Sequence, residues 1–293
     1  MYKVQHIITI FLTDIIFTLN TLSGQENSIG EKKTNFITYH RIDKAWNFSK
    51  GENVRVAVLD WIFNIRSDSS HKYINPVSFL PGQDKPWHGE WMAEIVHQIA
   101  PQCKIIPVRA RPKSTKNDNP FVDQPYEKFI IEGIMYAANH GAVAVTNSMG
   151  PLKQSEKLEE VIKYAEKKGI IFIDVHPEYL SFENNHYVLC DSARLNKLII
   201  HSGIVSVPER PGKMDPLRDI YTWPYQMDPV YKDGWGYSKG PPIVAGVIAL
   251  IKSVNKNLTV KEIKNILIKT ARNENDFKVV AAEAAVIKAR SFK

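Results

Sequence analysis

Four short apolar runs, Val54–Leu59, Lys104–Val108, Ala142–Val145 and Ile170–Val175, each read as a strand buried on both faces. Between them lie Gly89–Ala100, Tyr126–His140 and Glu156–Lys168, whose apolar residues recur at helical spacing. Leu198–Val205 is a further candidate strand, and Pro208–Pro229 reads as an irregular Pro-rich stretch. Ile243–Ile251 is hydrophobic on every side, which predicts a central buried helix. Thr259 and Glu262 form a capping-box pattern that opens another helix through Ala271. Strands alternating with helices in this way require a mostly parallel sheet with helices on both faces, an α/β fold.

The N-terminus has a different character. Ile7–Leu19 is a mostly apolar run of 13 residues after Lys3, followed by the small residues Ser23 and Gly24. It is too short to span a bilayer and has the length of the apolar core of a secretory signal, although Asp14 interrupts it. The other reading is an amphipathic or buried N-terminal helix. The expected organisation is a signal over 1–24, a polar linker over 25–38 and a catalytic-size domain over 39–293. The expected location is therefore outside the cytoplasm, secreted or periplasmic, with no stable membrane span.

Composition narrows the chemistry. Two cysteines, Cys103 and Cys190, cannot build a disulfide framework or a four-cysteine zinc site. No CxxC, HExxH, phosphate-binding GxxxxGK or GxGxxG pattern occurs, so no metal or other cofactor is expected. The net charge of +7 is spread along the chain apart from Lys104–Lys116, which reads as a solvated surface and not as a nucleic-acid stripe.

Three polar residues stand in apolar settings. Asp60 ends the run VRVAVLD, where a parallel α/β sheet builds its sites, though an Asp there also caps turns. His88 opens a helix whose face continues through Met92, Ile95 and Ile99, which holds the imidazole rigidly or simply buries it. Ser238 precedes the buried helix, near unpaired N–H groups and the positive dipole end, as a reactive hydroxyl or an ordinary cap.

The residues around these three resemble the subtilisin-like serine proteases, the subtilases, from about Ala45 to Ala285. AWNFSKGENVRVAVLD is similar to the first helix and the strand ending in the family's aspartate. WHGEWMAEIVHQIAPQCKIIPVRA resembles the block beginning with His-Gly. IEGIMYAANHGAVAVTNSMGP resembles the helix and strand ending in the Ser-Leu-Gly substrate edge. GYSKGPPIVAGVIALI is similar to the nucleophile motif Gly-Thr-Ser-x-Ala-x-Pro, and VVAAEAAV to the closing helix. The resemblance implies a subtilisin-like three-layer fold and a triad of Asp60, His88 and Ser238, in the family's chain order. It also implies that Ser148, Met149 and Gly150 pair with a peptide by main-chain hydrogen bonds.

Several neighbours depart from the pattern. Trp61-Ile62 follow the aspartate, Glu90 stands where the family has Thr, Tyr237 precedes the serine, and Lys239-Gly240 follow it. Aligned without gaps, Pro177-Glu178 fall on the Gly-Asn whose amide donates to the oxyanion, and an ionised carboxylate has no proton to donate. The oxyanion candidates are Glu178 in protonated form, or Asn184 or Asn185 if the local alignment has a gap; His176 is a further substitute.

The implied activity is that of a monomeric serine endopeptidase working through an acyl-enzyme on peptide or protein substrates, with an atypical oxyanion hole and no nucleic-acid partner. The alternative is a weak or inactive relative that keeps the peptide-binding edge as a binding module.

Overall fold

The computed structural model describes residues 36–60, 63, 71–80, 88–110, 127–149, 155–175, 200–204, 220–222, 236–274 and 277–292. The spans expected as signal and most of the linker lie outside them, as do Gly150, His176, Glu178, Asn184, Asn185 and Cys190.

Two short helices, α1 (Phe36–Tyr39) and α2 (Ile42–Ala45), lead into β1 (Arg55–Asp60). There follow β2 (Val77–Ser78), α3 (His88–Ile99), β3 (Lys104–Arg109), α4 (Glu127–Asn139), β4 (Ala144–Asn147), α5 (Glu156–Lys167) and β5 (Ile171–Val175). Beyond them come β6 (Ile200–Ile204), β7 (Ile220–Thr222), a 3-10 turn (Gly236–Lys239) and α6 (Gly240–Val254). The chain closes with α7 (Val260–Thr270), β8 (Arg272–Glu274), β9 (Phe277–Val279) and α8 (Ala282–Arg290). Contacts gather Asn35–Lys293 into one unit.

The strands form a sheet in the order β2-β3-β1-β4-β5-β6-β7-β9-β8. Every pairing is parallel except β8 with β9. Alternation along β1 explains its continuous hydrophobicity: Val56 and Val58 enter one core, Ala57 and Leu59 the other. The first core is closed by α3, α6, α7 and α8, the second by α4 and α5. The protein is therefore a three-layer α/β fold with a mostly parallel sheet.

The buried run expected over Ile243–Ile251 is the centre of α6, in which every residue from Gly240 to Lys252 is buried. The capping box also forms: Thr259 N donates to Glu262 Oε2 at 2.7 Å and Glu262 N donates to Thr259 Oγ1 at 3.3 Å. At the other end of α6, Lys252 Nζ donates to the carbonyls of Lys256 and Leu258, so the buried ammonium holds the turn into α7. Several elements differ from expectation. Strand β7 lies within the Pro-rich stretch, where pairing with β6 overrides the composition. Helix α1 begins inside the segment that reads as linker, and Tyr39 at its end receives a hydrogen bond from Arg272.

Strand order also fixes where a site forms. β1 and β4 are neighbours, yet the chain leaving β1 reaches α3 on one face and the chain leaving β4 reaches α5 on the other. Such a switch point opens a crevice outside the carboxyl ends of the two strands. Asp60 ends β1, and Ser148 follows directly on β4.

Candidate active site

The carboxylate of Asp60 is fully buried on the face of β1 that carries Val56 and Val58. Its Oδ2 lies 2.8 Å from His88 Nδ1, whose side chain is 12% exposed. A carboxylate accepts, so Nδ1 carries the proton and Nε2 is the imidazole's other face. This contact joins the end of a central strand to the first residue of α3, two rigid elements. Beside it, the register pairs Asp60 with Arg109 of β3, itself buried.

Ser238 sits in the 3-10 turn that feeds α6, and this turn packs against α3. Its hydroxyl donates to the main-chain carbonyl of Ser148 at 3.2 Å. The Ser148 hydroxyl returns the contact, donating to the Ser238 carbonyl at 2.8 Å. Two serines 90 residues apart are thus closed into a ring by each other's carbonyls. Met149, next on the expected peptide edge, is buried.

The structure brings Asp60 to His88, and Ser238 to Ser148. The reciprocal bond of Ser148 has no local signature, because it depends on the sheet bringing the end of β4 to the head of α6. Lys239, buried directly after Ser238, is a second feature the sequence marked only as a departure. Among the described residues no group of three or more His, Cys, Asp or Glu could hold a metal ion. Among them, too, no helix is long and apolar enough to cross a membrane.

At its switch point this three-layer parallel fold carries a carboxylate–imidazole pair and a serine at the head of a buried helix. Comparison with known proteins shows what it is similar to. The model described as Subtilase family matches residues 212–284, the segment with Ser238 and the helices after it. Thermitase from Thermoactinomyces vulgaris is 23% identical over 240 residues, covering 73% of this chain and 80% of that protein. MycP1 from the ESX-1 type VII secretion system superposes with a TM-score of 0.62 at 20% identity, covering 87% of each chain. Fervidolysin from Fervidobacterium pennivorans, a keratinolytic enzyme related to subtilisin, gives 0.62 at 19% identity over 83% of this chain and 44% of its own. The chain thus has the subtilisin-like fold and, over 212–284, is similar to the subtilase family.

Proposed function

We propose that the domain over 39–293 is a serine endopeptidase in which Asp60, His88 and Ser238 act as a triad. The observation that carries this reading is the 2.8 Å contact between Asp60 Oδ2 and His88 Nδ1 at the switch point of the sheet. A serine hydroxyl is too weakly acidic to attack unaided, so His88 Nε2 takes its proton as Oγ bonds to the peptide carbonyl carbon. Asp60 fixes the tautomer and stabilises the imidazolium that forms. The imidazolium then returns its proton to the leaving amine, and water repeats the sequence on the acyl-enzyme. The substrate lies on Ser148, Met149 and Gly150. The oxyanion donor comes from Glu178, Asn184 or Asn185, an atypical arrangement. The chain works as an exported monomer, with 1–24 as its signal.

A second reading, a peptide-binding relative without turnover, draws support from the Ser238 hydroxyl being directed at Ser148. One experiment separates the two. Purified protein is treated with a fluorophosphonate, and labelling at Ser238 that disappears in His88→Ala supports the protease. Absence of labelling in folded wild-type protein rejects it.

A further inference from the structure

The hydroxyl of Ser238 has one proton, and in this structure that proton is given to the carbonyl oxygen of Ser148. Resting on the protease reading above, the same carbonyl is the first acceptor of the edge along which a peptide pairs. One oxygen is therefore in demand from two donors: the nucleophile's hydroxyl and an incoming main-chain N–H. The second arm of the ring, Ser148 Oγ to the Ser238 carbonyl at 2.8 Å, holds the turn so that the hydroxyl meets that oxygen. The hydroxyl's own bond, at 3.2 Å, is long for an O–H donor and easily exchanged.

We infer that the Ser148–Ser238 ring is a resting clasp, opened when a substrate N–H takes over the Ser148 carbonyl and turns the Ser238 hydroxyl toward His88. The proton remains on Oγ during this turn. It passes to His88 Nε2 only as Oγ forms its bond to the electrophilic carbon or phosphorus. Seating the peptide thus arms the nucleophile, and an electrophile that offers no N–H meets a hydroxyl still on its carbonyl. In this arrangement Ser148 is a positioning residue, and its side chain acts through the turn that carries Ser238.

The test uses two peptidyl phosphonate diesters of the same sequence with the full-length protein. One carries the amide N–H next to the warhead, and the other has an ester oxygen in its place. Inactivation is followed to saturation, so that affinity (KI) and maximal rate (kinact) are read separately. A carbonyl that merely binds substrate changes KI alone. A clasp lowers kinact for the ester analogue by about fivefold, the size of one neutral hydrogen bond. In Ser148→Ala, which removes one arm of the ring, the difference in kinact between the two probes shrinks, and Ser148→Thr restores it. Equal kinact values for the two probes in the wild-type protein overturn the clasp while leaving the protease reading intact. If neither probe labels Ser238, both readings fall.

Discussion

Gly246 of α6 crosses Ile99 of α3 so closely that a Cβ on the glycine would stand 2.7 Å from the isoleucine's Cβ. One of these helices is headed by His88, and the other follows the turn carrying Ser238. The distance between His88 and Ser238 is thus set partly by a backbone-close crossing two to three turns further along each helix.

With the added Cβ 2.7 Å from Ile99 Cβ, Gly246→Ala should cost about 3 kcal/mol through overpacking, offset by a helix-propensity gain of roughly 1 kcal/mol, for a net loss of about 2 kcal/mol. Thermal unfolding should show a melting temperature lower by several degrees. A variant as stable as the wild type would mean that the crossing tolerates the methyl group.

Asp60→Asn preserves the size of the side chain but presents an amide to His88 Nδ1. The imidazole then turns its proton toward the serine, and a base with that tautomer cannot accept another. Peptidase kcat should fall roughly 10⁴-fold with little change in KM. Circular dichroism on the same preparation checks that the fold persists. Retained activity in a folded variant would remove Asp60 from the mechanism.

Much of this architecture is legible in the sequence because burial on both faces makes a strand's hydrophobicity continuous. β1, β3 and β5 are all found by that rule, displaced by about one residue where the ladder runs on to Asp60 and Arg109. β2 is not legible, since Val77–Ser78 are two residues that, among those described, pair with the end of β3 at the edge of the sheet. β7 is hidden because three residues paired with β6 are too few to stand out within a Pro-rich stretch. At the site, Asp60 and His88 are marked by position, at the end of a strand and the head of a helix. Ser148's grip on Ser238 leaves no such mark, because it joins residues 90 positions apart through the sheet. Gly246 did carry a signal: a glycine inside a buried helix sacrifices propensity, and a close neighbour is the usual reason.

His40 gives a pH dependence of stability. It is fully buried, its Nδ1 donates to the Val280 carbonyl at 2.8 Å, and its Nε2 has no hydrogen-bond partner among the described residues. Burial lowers its pKa from 6.5 to about 4, against the raising effect of the Val280 bond and assisted by the nearby charge of Arg272. Between those values the unfolded chain binds more protons than the folded one, so acid favours unfolding. This group's contribution is essentially whole above 6.5, falls as pH drops below that value, and levels off below about 4. Urea unfolding should show wild type losing about 2 kcal/mol more than His40→Gln between pH 7 and pH 5. Parallel losses in the two proteins would reject the assignment.

Glu178 falls at the position where the sequence departs from the family pattern in the way most consequential for the proposed chemistry. Aligned with the oxyanion donor, an ionised carboxylate there repels the charge that develops on the tetrahedral intermediate. Protonated, it donates as the missing amide would, so the donor needs a lower pH while the imidazole base needs a higher one. Any peptidase activity should then be low and confined to a narrow, mildly acidic window. Glu178→Asn supplies a donor at every pH and should raise kcat by roughly ten- to a hundredfold, widening the profile toward alkaline pH. If the alignment has a local gap instead, Glu178→Asn leaves the rate unchanged, and Asn184→Ala or Asn185→Ala abolishes it. Rates of the three variants on one chromogenic peptide across the pH range decide between these donors. An unaltered profile for Glu178→Asn removes Glu178 from the oxyanion hole.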